Sequence, residues 1–140
     1  MSVDDSAYLA PYWYSIGGGF IAKYDSNGNN IWCKYVSRKS SSPIVFTDMS
    51  ISGNTIYTCG TMGYGTSIID DISFVSPKSQ SGVIMSLSLD GQILQSEMLD
   101  TSSTTMIYGI EASKNSNAVY IVGEYLNGDL KKDGQKLSYS

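Results

Sequence analysis

FIAKYDSNGNNIWCKYV, residues 20–36, lies over VIMSLSLDGQILQSEML, residues 83–99, with Gly28 over Gly91 at an offset of 63. Downstream, IYTCGT (56–61) lies over VYIVGE (119–124) at the same offset, placing Tyr57 over Tyr120 and Gly60 over Gly123. Self-similarity at a fixed spacing marks a repeat architecture in which each copy is one supersecondary unit. The loop Ser37–Pro43 is slightly longer than Asp100–Thr105, and the turn Ser52–Asn54 slightly shorter than Ser113–Asn117, so two loop differences compensate and the strands stay in step.

Within each copy, short runs rich in Ile, Val, Tyr, Phe and Thr alternate with clusters of Gly, Asn, Asp and Ser, and helical periodicity is absent. That pattern predicts an all-β chain of antiparallel strands near 19–25, 31–36, 44–51, 55–61, 83–89, 92–99, 106–112 and 118–125, four to a unit. Asn27-Gly28 and Asp90-Gly91 fall between paired runs, where two-residue turns with positive φ favour Asn-Gly and Asp-Gly. Gly53-Asn54 is a third turn. Residues 62–81 read as a long loop. The organisation expected is an aromatic arm over 1–18, a repeat domain over 19–126 and a loop or tail over 127–140.

A chain of 140 residues sets one domain as the prior, with roughly 68–70% of the unfolded chain's surface buried on folding. There is no His, and Arg38 is the only Arg, so His general bases, His metal ligands and bidentate Arg clamps on phosphate are excluded together. Net charge is −4 with Lys scattered along the chain, which gives no electrostatic footprint for nucleic acid. No apolar run approaches the ~18 residues of a spanning helix, so membrane insertion is not expected. Asp4 and Asp5 stand where a secretory signal would carry positive charge, and no signal peptide is read. Cys33 and Cys59, each in an apolar strand, read as free core thiols, with a single disulfide between them as the alternative, and no Asn-x-Ser/Thr sequon occurs.

Phe20-Ile21-Ala22-Lys23-Tyr24-Asp25, Asn27-Gly28, Ile31-Trp32 and Tyr57-Thr58-Cys59-Gly60 together resemble the SBBP-type β-propeller repeat. In the second copy Ser86, Ser88 and Gln95 replace the lysine, aspartate and tryptophan of that pattern, and the match rests on Asp90-Gly91 and Tyr120–Gly123. The resemblance covers about 20–126. It implies β-propeller-like blades of four antiparallel strands around an axis, about two repeat units, and carries no catalytic motif. Similar repeats are familiar from bacterial surface proteins and large DNA viruses, which implies an extracellular or virion-surface setting.

Propellers close with four to eight blades, so two units are incomplete as a single closed propeller. The chain starts and stops with complementary half-units, and the expected partner is another copy of itself or a larger parent assembly, joined through half-blade edges. Tyr8, Tyr12, Trp13 and Tyr14 in the arm are the candidate interaction residues, set against a plain aromatic plug over the sheet end. The functional expectation is a non-enzymatic structural or adhesion module. The alternative is a glycan-binding lectin, and a propeller enzyme comes third.

No cofactor or metal is expected. Asp25-Ser26-Asn27-Gly28-Asn29-Asn30 begins like a calcium loop, but no acidic residue follows to complete it, and a hairpin needs the same residues. Asp70-Asp71 reads as a solvated loop, Gly17-Gly18-Gly19 as flexible backbone, and Lys131-Lys132 with Lys136 as a solvated cluster. Without His, the abundant Ser residues form no conventional triad. Trp32 offers a sugar-stacking face, against the reading that it packs between blades.

Overall fold

The computed structural model describes residues 18–37, 40–100, 103–132 and 135–138, and these contain strands and no helix. The strands are β1 (Phe20–Tyr24), β2 (Asn30–Tyr35), β3 (Ile44–Ser52), β4 (Thr55–Ile69), β5 (Ile72–Ser88), β6 (Ile93–Asp100), β7 (Thr104–Ala112), β8 (Val119–Leu126), β9 (Lys131–Lys132) and β10 (Gln135–Lys136). All eight expected strands are present. None of the sheets closes on itself.

The centre is an antiparallel meander, β3-β4-β5-β6, that takes its first two strands from one repeat and its last two from the next. Hairpin β1–β2 is a separate two-stranded sheet, and the strand pairing of hairpin β7–β8 with the meander is, among the described residues, a single parallel bridge between Gln80 and Thr104. Because side chains alternate across a strand, the meander has two inner faces. One carries Ile44, Ile56, Met62, Val83, Met85 and Leu87, buried with Ile21 and Val36 of the first hairpin region and packed by Trp32. The opposite face carries Cys59 and Leu99, buried with Ile107 and Ile110 of the last hairpin. The meander is thus covered on both sides, by β1–β2 on the first face and β7–β8 on the second.

Equivalent strands repeat the same irregularity. The β3–β4 ladder slips between Phe46 and Asp48, and the β7–β8 ladder slips between Ile107 and Gly109. Each slip is a β-bulge, an extra residue on one strand opposite a glycine-bearing partner. Gly60 and Gly123 of the Tyr-x-x-Gly elements sit there, and a Cβ on either would strike backbone of the bulged strand: the Val45 carbonyl for Gly60 and the Met106 carbonyl for Gly123. The glycine is required by that close approach. The bulges lie 61 residues apart while their partner glycines lie 63 apart, which is the compensating loop difference expressed in register.

Residues 62–81, expected as a loop, instead extend β4 and β5 into a long hairpin whose turn is Asp70-Asp71, with Ile69 and Phe74 buried. The Ser-rich stretch before β3 completes the backbone bonding of this tip: Ser37 N donates to Ile68 O at 2.7 Å, Ser41 N to Thr66 O at 2.9 Å, and Ser40 Oγ accepts from Ile68 N at 2.9 Å. Residues 127–132 and 135–138, within the stretch 127–140 expected as loop or tail, are the second copy of that tip. β9 and β10 stand 63 residues after 68–69 and 72–73, Asp100 pairs with Lys131 as Ser37 meets Ile68, and Leu137 N donates to Leu130 O where Phe74 pairs with Ser67. The repeat therefore runs past residue 126.

Candidate functional site

The two repeat hairpins share one turn geometry. Asp25 N donates to Asn29 O at 2.9 Å and Gly28 N to Asp25 O at 3.1 Å; Ser88 N donates to Gln92 O and Gly91 N to Ser88 O, both at 2.9 Å. Gly28 and Gly91 have φ of +84° and +85°, whereas Asn27 and Asp90 are not in the left-handed region. These are three-residue loops ending on a left-handed glycine, which corrects the two-residue turn expected from Asn-Gly and Asp-Gly. Asp25 spends its carboxylate on its own turn, accepting from Asn27 N and Asn29 N at 2.8 Å and from Asn29 Nδ2 at 2.9 Å. The Asn29 side-chain amide, then backbone donors, hold the Asp25 carboxyl below its ordinary value.

The first hairpin docks on the second through these turns. Trp32 Nε1 and Lys23 Nζ both donate to Leu89 O at 3.0 Å, and the Trp32 ring lies where a Cβ on Gly91 would be only 2.9 Å away. Trp32 is thereby engaged between successive hairpins, where it is half-buried. Its counterpart Gln95 is exposed.

Equivalent strands β3 and β7 are latched by side chains. Thr47 Oγ1 donates to Ile107 O at 2.8 Å, Asp48 Oδ2 accepts from Ile110 N at 3.0 Å, Ser50 Oγ accepts from Ala112 N at 3.1 Å, and Ser52 Oγ donates to Ser113 O at 3.0 Å. Polar side chains of one repeat thus satisfy main-chain groups along an edge of the next. No periodicity in the sequence marked them.

The exposed apolar surface concentrates on the outer faces of the two end hairpins. Phe20, Tyr24 and Tyr35 of β1–β2 are exposed, as are Tyr120, Val122 and Leu126 of β8. Among the described residues β1 pairs only with β2, and β8 only with β7. Cys33 shares the exposed face of β1–β2, which corrects its reading as a core thiol; Cys59 is buried, and both are free. Burial raises the Cys59 thiol above its ordinary pKa.

Among the described residues no three His, Cys, Asp or Glu are grouped for a metal. A cleft of about 230 Å³ beside β8 is lined mainly by apolar groups, including Leu99, Ile107, Ile121 and Tyr125, with Glu124 as its acidic member. The hydrogen bond to Glu124 raises the neighbouring Tyr108 phenol. Asp70 pairs with Lys34 at 2.6 Å, Lys132 with Glu97 at 3.2 Å and Lys136 with Asp129 at 2.9 Å, so the loop carboxylate and the basic cluster are tied to the tips of the two repeats. Tyr8, Tyr12, Trp13 and Tyr14 lie outside the described residues. In sequence, VDDSAYLAP (3–11) lies over IDDISFVSP (69–77), so the arm shares the tip's motif and Tyr8 stands where Phe74 stands. No family model, curated protein or solved structure matches this chain.

Proposed function

We propose that the chain is a non-enzymatic structural module of β-propeller type, which works by joining other copies or a larger assembly through its end hairpins. The supporting observation is that the two repeats meet twice in the same manner. The first face of the meander is covered by the preceding hairpin, and its second face covers the following one. Each end hairpin has two strands where the meander has four, with an apolar outer face and a strand edge that has no partner strand among the described residues, a combination that natural β proteins cover or close. The extracellular or virion-surface setting rests on the likeness of the repeat alone.

The test is the mass of the intact chain in solution, by light scattering and native mass spectrometry. Four to eight blades correspond to two to four copies of the 15.2 kDa chain, about 30 to 61 kDa. A discrete species in that range supports the reading. A monomer that persists at high concentration overturns it.

A further inference from the structure

We infer that β8 of one copy pairs antiparallel with β1 of a second copy, in the register that β4 keeps with β5 inside one chain. This rests on the assembly reading above and specifies its contact. Inside the chain the ladder sets Tyr57 opposite Ser86, Thr58 opposite Met85 and Gly60 opposite Val83. Carried through the 63-residue offset, it sets Tyr120 opposite Lys23, Ile121 opposite Ala22 and Gly123 opposite Phe20. The composite sheet β7-β8-β1-β2 would then match β3-β4-β5-β6 strand for strand.

The two surfaces fit each other by the rule the molecule already uses. Phe20, Ala22, Tyr24 and Tyr35 are the counterparts of Val83, Met85, Leu87 and Met98, which lie on the face that the preceding hairpin covers. Phe20, Tyr24 and Tyr35 are 67%, 59% and 64% exposed, whereas Val83, Met85 and Leu87 are at most 1% exposed. The same residues become a core once a partner supplies the missing layer. On the other end, Tyr120 and Val122, both 64% exposed, are the counterparts of Tyr57 and Cys59, which pack against the last hairpin.

Size and polarity are matched as well. Val83 sits opposite Gly60, whose other neighbour is Phe46; in the composite sheet the larger Phe20 sits opposite Gly123, whose other neighbour is Ile107, smaller than Phe46. The apolar cleft next to Gly123 gives that ring its volume. At the turn, Trp32 Nε1 and Lys23 Nζ donate to Leu89 O, and Gln95, the counterpart of Trp32, carries an amide donor of similar length for Ser26 O of the incoming copy, while the shorter Ser86 stands at the Lys23 position. Gly91 is pressed by Trp32, whereas a Cβ on Gly28 would meet nothing within 4 Å, so the docking place at the first turn is open. Because an end of one kind meets an end of the other, the contact is heterologous and leads to a ring if the rotation closes.

The experiment mixes full-length chains carrying Cys33→Ser, one with Ile121→Cys and the other with Ala22→Cys, and oxidises them; a second mixture uses Tyr120→Cys with Lys23→Cys. Adjacent pairs in an antiparallel ladder alternate in spacing, so one of the two mixtures has the geometry a disulfide needs. A third mixture, Ile121→Cys with Tyr24→Cys, is offset by two residues, and light scattering is recorded on all three. Expected is a cross-linked heterodimer in a matched mixture, absent from either variant alone and several-fold above the offset mixture. Assembly with preferential cross-linking of the offset pair, or of like with like, overturns the register and leaves the assembly reading standing. Absence of both assembly and cross-linking overturns the two together.

Discussion

Gly28→Ala and Gly91→Ala probe one backbone conformation in two environments. Each glycine ends a three-residue hairpin loop at φ near +85°, where an added Cβ costs about 1–2 kcal/mol, partly offset by the stiffer unfolded chain. At Gly28 nothing else opposes the methyl group, so the net loss should be about 1 kcal/mol. At Gly91 the Cβ would stand 2.9 Å from the Trp32 ring, and that ring is pinned by its 3.0 Å bond to Leu89 O. Relieving the overlap costs a further 1–3 kcal/mol, about what overpacking costs elsewhere. For a domain of this size about 1 kcal/mol corresponds to roughly 3 °C in Tm. Gly28→Ala should therefore lower Tm by about 3 °C and Gly91→Ala by about 6–12 °C, measured by calorimetry at one protein concentration. Adding Trp32→Leu to Gly91→Ala should recover the excess, a non-additivity that a double-mutant cycle reads directly. If the two alanine variants differ by less than about 0.5 kcal/mol, the docking of the first hairpin on the second turn is refuted.

In native protein only Cys33 should react with a thiol reagent, with Cys59 joining it in denaturant, because burial raises the Cys59 pKa and blocks access; two fast thiols in the native state would contradict its burial. Asp48→Ala leaves Ile110 N without its acceptor and should cost about 1–3 kcal/mol in denaturant unfolding, with Asp48→Asn recovering part of it; a neutral alanine variant would discount the β3–β7 latch. The depressed Asp25 pKa means that its turn contributes its full stability above pH 3.8 and loses it as pH falls through the lower folded value. An NMR titration should find Asn29→Ala moving the Asp25 midpoint upward, and an unchanged midpoint would remove Asn29 as the main cause.

Eight strands and the 63-residue offset were legible because β-branched and aromatic runs between turn residues report strands directly, and because a repeat compares the chain with itself. The tips were not. Gly63 and Gly65, a bulge, and the Asp-Asp turn interrupt the alternation of β4 and β5, and KKDGQK in the second tip is too polar to read as strand. Their pairing is fixed by Ser37, Ser40 and Ser41, whose composition speaks for a loop. Asn-Gly fits two loop types, and the choice between them lies in where the flanking strands resume pairing, at Tyr24 with Asn30 and Leu87 with Ile93. The exposure of Cys33 is hidden in the sequence for a related reason. Alternation places it on one face of a hairpin but does not tell which face a neighbouring repeat covers. The offset matches the exposed Phe20 and Tyr24 of β1 to the buried Val83 and Leu87 of the meander.

Hydrogen exchange of the intact chain at rising concentration tests the pairing of the end hairpins most directly, since main-chain amides on the outward edges of β1 and β8 have no partner strand among the described residues. Expected is a concentration-dependent gain in amide protection confined to residues 20–24 and 119–124, with the interior of the meander unchanged. Equal exchange at those edges from dilute to concentrated protein would contradict it.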